Sequence, residues 1–396
     1  MNKGVAITGM GIISALGNGL EANFNALMTS QDGITFPELL TTKHSHLPVG
    51  EVKISNLDFE KEFQLVGKHS YTRAALLGIV AAKEAIKSSG LTERELLNTG
   101  FISGSSVGGM DATEKYYLEY EKSSAHHQFI PTQHPGFTTN KIAEHLNIKG
   151  YTTTISTACS SGANAIMLGA RLIKAGELDR VIVGGTDCLT KFTLNGFNSL
   201  KILSEEKCRA FDDSRNGLNL GEGSAYLVLE AEDLAKNKNI LGRVLGYGNA
   251  NDAYHQTASS ETGEGAYKCM KDALEVSGIV AEKIDYINAH GTATRNNDLS
   301  EINAINKLFK TVIPDLSSTK AFTGHTLAAA GALEAVFSVL SLQNNVIFPN
   351  LNFSKPMQES ELLPITELKH KSINYVLSNS FGFGGNCTSL IFSKNE

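Results

Sequence analysis

Four short segments carry side chains able to do covalent chemistry. In TACSSGANA, residues 157–165, a single cysteine, Cys159, sits among small residues ahead of a helix-forming run that ends at Lys174. A thiol on a turn feeding a helix start meets unpaired N–H groups with partial positive charge. These favour the thiolate, which is the nucleophilic form. Position alone therefore predicts a lowered thiol pKa, and the small neighbours leave room for a carbonyl. The plainer reading, a buried structural cysteine, stays open at this point. In NAHGTAT, residues 288–294, an apolar strand delivers His290 into a Gly/Thr turn. Strand ends are where α/β sheets keep reactive groups, although a hydrogen-bonded structural histidine fits as well. In STKAFTGHT, residues 318–326, Lys320 and His325 precede a very apolar stretch whose one charge is Glu334. A buried carboxylate is costly unless paired, and Lys320 is a candidate partner. A surface loop and a solvent-facing Glu334 are the plain alternatives. In NSFGFGGN, residues 379–386, Gly382, Gly384 and Gly385 alternate with Phe381 and Phe383. Such a backbone bends sharply and can offer N–H groups to an oxyanion, with a Phe free to move as a gate; glycine hairpins are commoner.

The set is more specific than its parts. One cysteine at a helix start, two histidines on glycine turns, a lysine, a lone Glu and a Gly-rich loop suit acyl transfer through a thioester. No phosphate-cradling G-x-x-x-x-G-K-[ST] and no dinucleotide fingerprint are present, so nucleotide chemistry has no support. Neither H-E-x-x-H nor clustered Cys/His suggests a metal. No cofactor and no metal are expected.

Elements must bring these distant segments together. Strands are predicted over 5–8, 100–103, 180–184 and 225–230, and helices over 72–88 and 161–174. A second set follows, with strands over 243–247, 284–289, 375–380 and 389–393 and helices over 266–277, 299–309 and 328–342. The alternation indicates an α/β fold with a helix-covered sheet. Its coarse repetition predicts a duplicated architecture with an N-terminal half at 1–240 and a C-terminal half at 241–396, packed on one core.

Composition agrees. The 396 residues are 41% hydrophobic and 19% charged, long enough to fold without disulfides or a structural metal. Glycine, at 37, is enriched, which favours tight turns and close backbone contacts. A net charge of −6 without basic runs makes a poor nucleic-acid binder. The five cysteines form no C-x-x-C, so free thiols in a reducing, cytoplasmic setting are expected. Residues 1–20 read as a strand and turn rather than a signal segment, and no membrane span is expected.

The motifs resemble those of the β-ketoacyl-[acyl-carrier-protein] synthases, of the elongating type with a Cys-His-His triad. The likeness runs along essentially the whole chain: VAITGMGIISALGNG, TACSSGANAI, CRAFDDSRNGLNLGEGSA, NDAYHQT, NAHGTAT, STKAFTGHTLAAAGALEA and SNSFGFGG, in that order. The resemblance implies a thiolase-like fold of two related halves in α-β-α-β-α layers, a homodimer and an acyl-carrier protein as partner. It makes Cys159 the acylated nucleophile, with its own N–H and that of Phe383 as oxyanion hole and Phe383 as gate. His290 and His325 would bind the malonyl thioester and assist decarboxylation. Lys320 would orient His325 and pair with Glu334. Thr292 and Thr294, with Thr257, would hold the phosphopantetheine arm. Val107 and Phe197 would line the acyl pocket, and Lys201 would meet the acidic carrier. A non-catalytic chain-length-factor-like subunit of a heterodimer and a thiolase are the rival readings. The first lacks the nucleophile that is present here. The second needs a cysteine before the Gly-rich turn, where this chain has Cys387 after it. The sequence departs from the family at Asn386-Cys387, where Thr-Asn is usual, which questions the loop's hydrogen bonding. It departs also at Arg295, in TDCLTK, and in the segment between Gly108 and Tyr151. These leave the acyl group open, including a specialised polyene-type product.

Overall fold

The computed structural model describes residues 4–310 and 312–395. Its ten principal strands are β1 (Val5–Ser14), β2 (Gly100–Gly104), β3 (Thr152–Ile155), β4 (Arg180–Asp187), β5 (Gly223–Ala231), β6 (Gly242–Asn251), β7 (Tyr286–Asn288), β8 (Asp315–Ser317), β9 (Tyr375–Phe381) and β10 (Asn386–Ser393). From the centre outward, the first half runs β1-β5-β4-β2-β3 and the second β6-β10-β9-β7-β8. Numbered within its own half, each reads first, fifth, fourth, second, third. The halves meet where β1 pairs antiparallel with β6 through Ala6 and Ile7. In both, the outer three strands are parallel and the inner pairings antiparallel.

Helices Ser161–Lys174 and Ala330–Asn344 pack on each other between the two halves, while Arg73–Ser89 covers the strands of the first half and Glu264–Ser277 those of the second. These are the five layers that the resemblance implies. The glycine excess serves the outer layers. A Cβ on Gly9 or Gly11 of β1 would lie 2.3 or 2.1 Å from the carbonyl oxygens of Ala85 and Ala81. A Cβ on Gly246 or Gly248 of β6 would lie 2.3 or 2.1 Å from those of Ala273 and Cys269. Each half thus uses a G-x-G strand so that its covering helix can rest backbone to backbone.

Element ends differ from the sequence pattern in three places. β1 runs on to Ser14, pairing with β5 along its length, although its glycines hide the period of a strand. The helix predicted at 299–309 begins at Arg295, because Thr294 takes the N-cap position. The last core helix starts at Ala330 after a tight turn over Leu327–Ala329. Together, Leu327–Asn344 spans 18 residues at a mean hydropathy of 1.3, enough by length and composition to cross a membrane. Here 89% of it is buried within the protein, as the apolar middle layer requires.

Candidate active site

Cys159 lies on the turn between β3 and helix Ser161–Lys174, which opens at Ser160. Ala158 before it has φ 52°, a left-handed conformation that costs a non-glycine residue energy. Side-chain bonds hold the turn. The Ser161 hydroxyl donates to the Ala158 carbonyl at 2.6 Å and accepts from the Thr157 N–H at 2.9 Å. The backbone N–H groups of Phe383 and of Cys159 itself both reach the sulfur. Two donors converging there form the kind of hole that holds a developing oxyanion.

The thiol pKa corrects the sequence expectation. Burial pushes Cys159 up to about 11; the N–H of Phe383 and the charge of Lys320 only moderate the rise. The side chain is 5% exposed, and desolvation of a thiolate outweighs what a helix start can return. Cys208 and Cys269 are pushed to about 12, and Cys188 and Cys387 are also raised, so Cys159 still gives up its proton most readily.

His290 follows β7 after Ala289. Its N–H and that of Gly291 donate to the Glu301 carboxylate at 2.9 and 2.8 Å, and the Asn379 amide donates to the same group at 3.0 Å. His325 sits in the turn after Gly324. Its N–H donates to the Asn219 carbonyl at 2.8 Å and its carbonyl accepts from the Gly221 N–H at 2.9 Å. The two rings stand 5.5 Å apart at 87°. Burial, then the charge of Lys320, holds both imidazoles well below the ordinary histidine pKa, so both are neutral. The Nδ1 of each is enclosed without a partner, which leaves Nε2 to meet a substrate.

Lys320 donates to the Glu334 carboxylate, with the two side chains 2% and 4% exposed. Burial pushes Glu334 up to about 7 against the pull of Lys320. Lys320 makes no hydrogen bond to His325 among the described residues, so it acts on both rings through its field.

Cys159, His290, His325 and Phe383 line one cavity of about 890 Å³ including its mouth. Thr257, Thr292, Thr294 and Phe197 line it too. Phe197 stacks on Phe383 at 5.6 Å between ring centres. Val107, Lys320, Glu334 and Lys201 stand outside the lining. Val107 joins Phe197 against an apolar cluster of Leu189, Leu194, Leu218 and Leu327, in which Leu218 also reaches the cavity wall. Lys201 is exposed after helix Lys191–Ser199, with φ 56°.

Sequence reading missed three supports. Glu301, pushed up to about 7 by burial, frames His290; its signal was a charge on a helix face shared with Asp298, Ile302 and Ile305. Asp187 accepts from the Ser105 hydroxyl and the N–H groups of Ser106, Val107 and Ala328, joining the Val107 loop to the turn after His325. Asn386, a departure from the resembled pattern, turns out to be richly bonded. Its side-chain oxygen accepts from Ser160 at 2.7 Å and from Asn164 at 2.8 Å. Among the described residues no group of three or more His, Cys, Asp or Glu is placed to hold a metal ion.

Comparison with known proteins supplies the family. The model for the beta-ketoacyl synthase N-terminal domain matches residues 2–235, and that for the C-terminal domain matches residues 241–354. A protein named 3-oxoacyl-[acyl-carrier-protein] synthase 2, from Staphylococcus aureus (strain COL), is 34% identical over 412 residues, covering 100% of this chain and 99% of that one. The ishigamide ketosynthase/chain length factor structure aligns over 100% of both chains with a TM-score of 0.92 and 28% identity. A ketosynthase in complex with its chain length factor from Xenorhabdus doucetiae aligns over 99% of this chain and 98% of that one, with a TM-score of 0.84 and 31% identity. With both domain models matched in order and full-length relatives beside them, the chain belongs to the beta-ketoacyl synthase family.

Proposed function

We propose that this condensing enzyme divides its reaction between two donor sets in one cavity. Cys159 takes an acyl group from a carrier-protein thioester, and its proton leaves with the arm's thiol. The carbonyl oxygen is held by the N–H groups of Phe383 and Cys159 during the tetrahedral stage. A malonyl thioester then enters. It loses CO₂, and the enolate oxygen left behind is held by His290 and His325 through Nε2. The enolate carbon attacks the acyl carbonyl and the bond to the Cys159 sulfur breaks. A 3-oxoacyl chain two carbons longer departs on the carrier, and the sulfur regains a proton. Neutral imidazoles suit this role when the ring proton sits on Nε2, where each ring offers one N–H to the enolate oxygen. Lys320 helps to keep them neutral and is itself balanced by Glu334.

The carrying observation is that the Cys159 sulfur and two imidazole rings 5.5 Å apart line the same cavity as Phe383. Thr257, Thr292 and Thr294 are proposed to guide the arm, Val107 and Phe197 to bound the acyl chain, and Lys201 to meet an acidic carrier. No cofactor beyond the arm is invoked, and the reaction is assigned to the cytoplasm. The halves 1–240 and 241–396 act as one body.

A homodimer is the assembly proposed. In its support, β3 is an edge strand with half-buried Thr152–Ile155 and one unpaired side, a surface that another copy can extend. A homologous partner subunit is the second reading, favoured by the neighbour solved with a chain length factor. A chain-length-factor-like role for this chain itself fits poorly, since Cys159, His290 and His325 are all present.

Incubation with acyl-carrier protein and malonyl-carrier protein, read by mass spectrometry, tests the function. A product extended by two carbons supports it. CO₂ release without chain extension contradicts it.

A further inference from the structure

The two donors of the oxyanion hole come from segments more than two hundred residues apart, so something must fix their separation. Backbone contact does part of this: a Cβ on Gly382 would stand 2.7 Å from the Thr157 carbonyl oxygen and 3.2 Å from the Cys159 nitrogen. Contact alone sets a minimum distance and does not prevent the segments from parting.

Asn386 is bonded to both sides. Its backbone carbonyl accepts from the Gly382 N–H at 2.8 Å, closing the turn that carries Phe383. Its side-chain oxygen reaches the nucleophile helix, accepting from the Ser160 hydroxyl at 2.7 Å and the Asn164 amide at 2.8 Å. The Asn249 amide on β6 adds a third donor at 3.0 Å and the Thr388 hydroxyl a fourth at 3.4 Å. Asn164, 5% exposed, also donates to the Thr157 hydroxyl at 2.9 Å, which carries the link to the start of the Cys159 turn. By contrast, the Asn386 amide nitrogen makes a single contact, to Asn249 at 3.4 Å. The oxygen is therefore the working atom.

We infer that Asn386 is a positioning residue of the oxyanion hole, tying the Phe383 turn to the first turn of the Cys159 helix. It acts on the step that needs that hole and leaves alone the step that uses the two histidines. Misplacement of a donor by about 1 Å can cost on the order of 10²-fold in rate. The inference rests on the division of labour proposed above.

The test separates the half-reactions. Acyl transfer to Cys159 and decarboxylation of malonyl-carrier protein are each timed for the wild type, Asn386→Leu and Asn386→Asp. Leu keeps the bulk and removes the acceptor; Asp keeps an oxygen that all four donors can reach. Asn386→Leu is expected to slow acyl transfer by about 10- to 100-fold, in the range for a misplaced donor, with decarboxylation near the wild-type rate. Asn386→Asp is expected to recover most of the lost acyl transfer. Equal loss in both half-reactions, or unchanged acyl transfer in Asn386→Leu, overturns the inference. So does an Asp variant as slow as the Leu variant. Should Asn386→Leu fail to fold, Ser160→Ala removes one donor to the same oxygen and must show the same split at smaller size; no split there overturns it as well. A wild type that performs neither half-reaction defeats the proposed function instead, so the two failures are distinct.

Discussion

The two middle-layer helices occupy matching places in the two halves, and each is entered through a turn containing a left-handed residue. Ala158 (φ 52°) precedes Ser161–Lys174, and Leu327 (φ 53°) precedes Ala330–Asn344. The first turn presents a sulfur flanked by backbone N–H groups. The second presents His325, with Lys320 and Glu334 buried behind it. One scaffold, used twice, has therefore been given two electrostatic tasks. In the proposed mechanism the first side stabilises an oxyanion with neutral dipoles and an amide network. The second keeps an imidazole neutral with a buried cation.

The comparison breaks most completely at the sulfur. Cys159→Ala is expected to abolish chain extension while malonyl decarboxylation, the task of the other side, continues; product mass spectrometry and CO₂ release read the two separately. Extension by that variant would contradict the assignment. His290→Ala or His325→Ala is expected to slow decarboxylation by roughly 10²–10³-fold, the usual cost of one oxyanion donor, and to leave acyl loading of Cys159 in place. Loss of loading to the same degree would mean that the two sides are not separable.

The buried cation sharpens the contrast. Lys320→Ala strands Glu334 in the core, and urea denaturation should show a loss of about 3–5 kcal/mol, as for other broken buried pairs. Lys320→Met with Glu334→Leu should recover stability but not the acid tolerance of catalysis. Lys320 lowers the pKa of both histidines, so removing it raises them towards 6.5. The imidazoles then protonate at higher pH, and the acid limb of the decarboxylation profile moves up. An unmoved limb would show that Lys320 acts only in folding. The smallest effect concerns the thiol. With its pKa raised to about 11, alkylation of Cys159 should climb about tenfold per pH unit from 7 to 9 without a plateau. It should also outpace the other four cysteines, and levelling near neutrality would indicate a preformed thiolate.

What could be read from the sequence was local. Each motif placed its residue on a turn beside a strand end or helix start, because glycine and small residues mark such turns wherever they occur. The repeated order of strands and helices carried the duplicated fold. Partners far along the chain carried no local mark. Asp187 beneath the Val107 loop, Glu301 behind His290 and the Asn164–Asn386 link follow from the sheet bringing distant strands together. The thiol pKa failed for a related reason. A helix start is visible in sequence, whereas the desolvation that overrides it depends on what the rest of the chain packs around Cys159.

The division of labour is tested most directly by peptide mass spectrometry of the enzyme loaded from acyl-carrier protein and then given malonyl-carrier protein. The account predicts the acyl mass on the peptide holding Cys159 alone, discharged on malonyl addition into a product two carbons longer. An acyl group on Cys188, Cys208, Cys269 or Cys387, or discharge by water without chain extension, would contradict it.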